Sequence, residues 1–346
     1  MDQWKFYDIT HREHIFCNPM STEKFEELIT LLRLKSGARV LEIATGKGEF
    51  IIRLAEQYGI EGIGVDLSPY CVSDAKKKHQ QRIPEAQLKF LEMDGADYEP
   101  EKPESFDLVA CIGASWIYGG HRGTLKALNV LAARRSWIVV GEPYWRQEPS
   151  AEYLEAIGEE RSTFATHYEN IEMGKELGLE MVYTLVSNQD DWDRYEGLQW
   201  YAAQEWASEH PDDPDVDEVL KRVHKNKEAY LRWGRETLGW AIYVFRKSDH
   251  RELLAAQGRA SAAGKRHGPC ACKGRDAAPW PLDALVGHSY PGRLGCRPSS
   301  HTQERVQGME LPRFNGQGIS LLEKGVRYAE ETLPSRVPRS DGRVGP

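Results

Sequence analysis

The chain has 346 residues, enough for one large domain or two ordinary ones. It carries 45 Lys and Arg against 53 Asp and Glu, and the acid excess lies early: residues 249–346 hold 15 basic and 10 acidic groups, leaving 30 against 43 before them. An acidic body lacks the clustered Lys and Arg of a phosphate footprint, so a nucleic-acid partner is not expected.

Residues 1–36 precede any strand pattern. Phe25, Leu28, Ile29 and Leu32 mark an amphipathic helix that Ser21 or Thr22 can cap. Ahead of it, residues 4–19 are dense in aromatic, His and amide groups, among them Trp4, Tyr7, His11, His14 and Asn18. This segment reads either as an arm packed on the body or as a lid over a site. An apolar β-type run, Val40 to Ile43, then stops at the small turn Ala44-Thr45-Gly46-Lys47-Gly48. Phe50, Ile51, Leu54 and Ala55 follow at helical spacing. Strand, tight turn and helix make the first unit of a doubly wound sheet, in which ligands sit beyond the carboxyl ends of the strands. A dinucleotide loop would need a third Gly where Ile51 stands, and a P-loop would need Ser or Thr where Gly48 stands.

A second short strand, Ile60 to Val65, ends in Asp66-Leu67-Ser68, and residues 69–81 read as a helix. A carboxylate at this strand tip can accept hydrogen bonds from vicinal ribose hydroxyls, a device shared by nicotinamide and other nucleoside cofactors. A third strand, Gln87 to Met93, ends at Asp94-Gly95-Ala96. The fourth runs from Phe106-Asp107 to Ile112-Gly113, and a helix is expected over Thr124 to Ala133. Trp137 to Gly141 is the fifth strand, ending at Glu142-Pro143-Tyr144-Trp145. After a helical region near 150–178 come strands at Met181 to Val186 and Trp240 to Phe245. Residues 188–238 between them form a long helical insertion with Trp192, Tyr195 and Gln199 on one face, suited either to filling a core or to capping a substrate pocket. From residue 248 the apolar periodicity fades, and 248–346 is expected to be a mostly disordered extension.

The six cysteines form no Cys-x-x-Cys pair, which fits free thiols in a reducing compartment. The first residues hold no apolar signal core and no run is long enough to span a bilayer, so a cytoplasmic protein without a membrane partner is expected. No metal site is expected, because the histidines do not fall at ligand spacing with carboxylates.

The run Glu42-Ile-Ala44-Thr-Gly46-Lys-Gly48 resembles the first motif of the class I S-adenosylmethionine-dependent methyltransferases, acidic-x-Gly-x-Gly-x-Gly after an apolar strand. Ala44 stands where the family has its first Gly. Asp66, Asp94 and Phe106-Asp107 follow in the family's order, over about residues 1–247. The resemblance implies an α/β fold: a doubly wound, Rossmann-like seven-stranded sheet whose last strand runs antiparallel between the fifth and sixth. Residues 1–36 become a helical lid, 37–247 the methyltransferase domain, and 188–238 a substrate-cap insertion. It further implies that S-adenosylmethionine is held by Glu42, Ala44, Gly46, Gly48, Asp66, Leu67, Asp94, Gly95 and Gly113. In that family the turn wraps the methionine part and an acidic residue followed by a small one faces the adenine amino group, a role the resemblance carries to Asp94, with Asp97 on the same loop as the rival.

The implied reaction moves the sulfonium methyl group to a small-molecule acceptor. A base is required only where that acceptor is protonated, and the candidates are His121, Glu142 and His14. Trp116, Tyr118, Tyr144, Trp145 and Trp192 are expected to build an aromatic pocket. Base-methylating enzymes would be expected to show an Asn- or Asp-Pro-Pro-aromatic run after strand four, where this chain has Gly113-Ala-Ser-Trp116. A nicotinamide-dependent oxidoreductase and a non-catalytic cofactor-binding protein are the alternatives. The oligomeric state does not follow from these residues.

Overall fold

A computed structural model describes residues 1–248, so almost all of the expected extension, 248–346, lies outside the described residues. Seven strands form one sheet: β1 (Arg39–Ile43), β2 (Glu61–Asp66), β3 (Leu88–Glu92), β4 (Phe106–Ile112), β5 (Ala132–Trp145), β6 (Leu179–Val186) and β7 (Leu238–Lys247). Their order is β3-β2-β1-β4-β5-β7-β6. The first five pair in parallel, and β7 runs antiparallel between β5 and β6, as the resemblance implies.

Alternate residues of β1 face opposite layers, the period-two rule of a strand. Val40 belongs to a core with Phe50, Ile51 and Leu54 of α3 (Glu49–Tyr58), and with Phe25 and Leu28 of the helix Thr22–Leu32. Leu41 and Ile43 belong to the other layer, with Leu125 and Leu128 of the helix His121–Leu131. Numbered in chain order, α1 is Gln3–His11, α2 is Thr22–Leu32, α4 is Pro69–Arg82 and α5 is His121–Leu131. Local sequence fixes several boundaries. The Ser21 and Ser68 hydroxyls cap α2 and α4, and Pro69 opens α4 where its missing N–H costs nothing.

Two expectations are corrected. The helix expected at Thr124 to Ala133 begins and ends earlier, because Ala132 turns to extended backbone and starts β5, well before Trp137. The helical region 150–178 is broken into α6 (Ala151–Ile157), a 3-10 turn at Arg161–Thr163, and α7 (His167–Glu176). Gly158 in the left-handed region ends α6, and a Thr166–Glu169 capping box restarts the chain as α7. The insertion folds into α8 (Gln189–Glu209) and α9 (Val216–Ala229), which form a small core of their own with α1 through Ile9, Ala203, Trp206, Val219 and Val223.

Candidate functional site

The turn after β1 is built from left-handed backbone, with φ of 54° at Ala44, 54° at Gly46 and 71° at Gly48. Gly48 is required twice over: besides its φ, a Cβ there would lie 2.8 Å from the Ala75 Cβ and 2.9 Å from the Phe90 ring. Asp66 pins the turn to the tip of β2. Its Oδ2 accepts from the Gly46 N–H at 2.8 Å, and its Oδ1 accepts from the Ser68 N–H at 2.8 Å. Burial pushes the Asp66 carboxyl up to about 6 even against those two bonds. Glu42 is buried beneath the turn and accepts from the Thr45 hydroxyl at 2.7 Å. Burial raises it to about 8, so it is largely protonated at neutral pH. Asp94 accepts from the Ala96 N–H at 2.9 Å, and the Tyr118 hydroxyl donates to the Gly95 carbonyl at 2.8 Å.

These pieces surround one cavity of about 80 Å³ beyond the carboxyl ends of β1, β2 and β4. Glu42, Ala44, Gly46, Asp66, Leu67, Asp94, Gly95 and Gly113 all line it. Gly48 does not; it caps α3 behind the turn. The sequence reading did not assign individual roles to Trp4, Tyr7, Phe16, Cys17 and Asn18, which line the same cavity from the N-terminal segment. Their signal was the density of aromatic and amide groups there. Two polar atoms at this cavity, Asn18 Oδ1 and Trp116 Nε1, are buried with no partner.

The N-terminal segment is tied to the turn. The Lys47 ammonium donates to the carbonyls of His11 at 2.7 Å and Arg12 at 3.3 Å, placing a cation at the C-terminus of α1. From the other side, α8 holds the same segment. His11 Nδ1–H donates to the Tyr7 carbonyl, so Nε2 accepts from the Tyr195 hydroxyl at 2.9 Å. His14 Nε2–H donates to the Tyr195 carbonyl at 2.9 Å. Burial holds His11 well below the usual imidazole range and lowers His14 to about 4.

The three candidate bases therefore separate. His14 packs against Tyr195, while His121 and Glu142 line a second cavity of about 480 Å³ between α5, α7 and the end of β5. Nor do the five aromatics gather into one pocket. Trp116 lines the first cavity, Tyr144 packs on His167, the Trp145 indole donates to the Arg161 carbonyl, and Trp192 stacks on Tyr230. Among the described residues no group of three His, Cys, Asp or Glu side chains could hold a metal ion, and no helix is long and apolar enough to cross a membrane.

Residues 40–133 match a family model described as a methyltransferase domain. The uncharacterized protein YjhP of Escherichia coli K12 is 32% identical over 246 residues, covering 70% of this chain and 98% of its own. A solved S-adenosylmethionine-dependent methyltransferase from Geobacter sulfurreducens, in complex with S-adenosylhomocysteine, is 31% identical with a TM-score of 0.66. The match covers 70% of this chain and 97% of that one. Another from Thiobacillus denitrificans, with the same ligand, is 34% identical over 71% of this chain and 99% of its own, with a TM-score of 0.65. Sheet order, turn, strand-tip carboxylate and similarity along nearly the whole length of these relatives agree, and the chain belongs to the class I S-adenosylmethionine-dependent methyltransferases.

Proposed function

We propose that the protein transfers a methyl group from S-adenosylmethionine to a small-molecule acceptor. The observation that carries this reading is the convergence of Glu42, Gly46, Asp66, Asp94 and Gly113 on a single cavity at the carboxyl ends of the strands. Its chemistry fits the cofactor. Carboxylates accept from sugar hydroxyls and an exocyclic amine. The unpartnered Asn18 Oδ1 and Trp116 Nε1 supply one further acceptor and one donor, which an amino acid's ammonium and carboxylate would use. In this assignment Asp66 holds the ribose, Asp94 the adenine, and the turn from Ala44 to Gly48 the amino-acid end.

When bound, the cofactor supplies a methyl group already activated by a positive sulfur. The chain's own part is then alignment and the exclusion of water. Residues 1–36 serve as the lid, with Tyr7, Phe16 and Asn18 walling the cavity and Lys47 holding the lid's first helix shut. The cavity is much smaller than the roughly 300–1,000 Å³ of small-molecule sites, so the lid swings aside for entry. Among the candidate bases, Glu142, raised to about 8 by burial, is best matched to take a proton near neutrality. His121 lies on the same cavity as Glu142, and His14 has its Nε2 engaged by Tyr195.

Isothermal titration with S-adenosylhomocysteine and with NADH tests the cofactor. Binding of the first and not the second is expected, and the reverse would overturn the reading. Release of S-adenosylhomocysteine over a panel of small acceptors tests the acceptor class. Turnover only on protein or nucleic acid would overturn that part.

A further inference from the structure

The second cavity has an unusual donor–acceptor balance. Glu142 Oε2, His121 Nδ1 and Asn170 Oδ1 are all buried, all belong to residues lining it, and none has a hydrogen-bond partner. Each can be assigned a polarity from its other contacts. The His121 Nε2–H donates to the Asn170 carbonyl at 3.1 Å, so in the neutral ring Nδ1 is left as an acceptor. Burial lowers this imidazole to about 4, which keeps it neutral. The Asn170 Nδ2–H donates to the Tyr243 hydroxyl at 3.2 Å, which fixes the amide so that Oδ1 is also an acceptor. The Tyr243 hydroxyl also shares a hydrogen bond with His167 Nδ1 at 3.0 Å. Burial has raised the Glu142 carboxyl to about 8, with a contact to Ser115 partly offsetting the burial, so it is largely protonated at neutral pH and becomes an acceptor when it ionises.

Two buried acceptors, joined by a third when Glu142 ionises, are costly unless something supplies N–H or O–H groups. An anion would be repelled by the His121 and Asn170 acceptors and would find a donor only in protonated Glu142. A cation with several N–H groups meets all three needs, and it favours the ionised form of Glu142 by direct attraction. The surroundings agree. The Tyr243 ring packs edge-on against His121, with centroids 5.1 Å apart, and holds that imidazole in place behind the cavity wall. The two arginines that line the cavity are already paired, Arg122 with Glu176 at 2.7 Å and Arg161 with Glu148 at 2.8 Å. The volume, about 480 Å³, suits a small organic molecule.

We infer that the cavity between α5, α7 and the end of β5 is a binding site for a small organic amine, held by Glu142, His121 and Asn170. The amine is either the methyl acceptor or an effector; both present the same chemistry to these three atoms.

The test is isothermal titration of the full chain, saturated with S-adenosylhomocysteine, with n-butylamine, ethanolamine and benzylamine. Each is set against its alcohol counterpart: n-butanol, ethylene glycol and benzyl alcohol. At least one amine should bind about tenfold or more tighter than its alcohol, the effect of a charge-assisted bond against a neutral one. Glu142→Gln should abolish that preference while still binding S-adenosylhomocysteine. No preference in the wild type, or a preference that survives in the variant, overturns the inference. Should the variant not fold, the His121 ring resonances of the wild type decide: they must shift on addition of the amine and stay put with the alcohol, and unmoved resonances overturn the site. Mass spectrometry with S-adenosylmethionine then sorts the two sources, a methylated amine marking an acceptor and an unmodified bound amine an effector. Failure of the wild type to bind S-adenosylhomocysteine would strike the methyl-transfer reading alone; the amine titration is then run without it.

Discussion

At Ala44 the backbone takes a left-handed φ of 54°, a conformation that crowds the Cβ of any L-residue. The family's motif has Gly at this position, so the chain carries local strain inside its cofactor turn. Ala44→Gly should stabilise the protein by about 0.5–1 kcal/mol, the relief of strain less the extra freedom glycine has when unfolded, read as a rise in Tm. Asp66 bonds the turn as well as the proposed ribose. Asp66→Ala should weaken S-adenosylhomocysteine binding by about 1.5–3 kcal/mol, measured by titration, and unchanged affinity would mean the ribose lies elsewhere. Glu142 makes a pH prediction. Its folded pKa is about 8 against an ordinary 4.5, so it binds its proton more tightly when folded. It contributes stability in acid that is lost as pH rises from about 4.5 to about 8. Glu142→Gln cannot ionise and should lose less Tm than the wild type across that window. Asp66, Asp94 and the glycines were legible because a cofactor turn needs particular residue types at particular spacings. The pairing of His121 with Glu142 and Asn170 was not legible. It depends on how α7 settles against β5 and β7, and no periodicity in the sequence records that.

The first helix is the element on which the site's closure depends. It touches the cofactor turn through Lys47 and the insertion through His11, His14 and the core shared with α8 and α9. Lys47→Met removes the cation at its C-terminus and leaves two carbonyls unserved. Amide hydrogen exchange over residues 3–11 should then quicken, and S-adenosylhomocysteine should associate faster; unchanged exchange would show that α8 alone holds the helix. Strand positions were readable because apolar runs of strand length alternate with helical spacing, whereas their order in the sheet followed only from the family resemblance. Helix limits were harder wherever no capping residue marked them. The start of β5 at Ala132 follows from its pairing opposite Phe106 on β4, a long-range contact invisible to local propensity. The aromatics of the insertion pointed equally to core and to cap. Packing decided that Trp192 and Tyr195 are buried against Tyr230 and the N-terminal histidines.

At the scale of the molecule, the solved relatives align over 97% and 99% of their own length while covering about 70% of this one. The sheet, both core layers and the first cavity lie within residues 1–248. Deleting 249–346 should therefore leave S-adenosylhomocysteine affinity and Tm nearly unchanged, checked by titration and thermal melting; a large loss of either would make those residues part of the fold. The placement of β7 has a consequence for biosynthesis. Among the described strands the one that joins β5 to β6 is made last, so a nascent chain on the ribosome carries two unjoined sheet edges until Lys247 has cleared the exit tunnel.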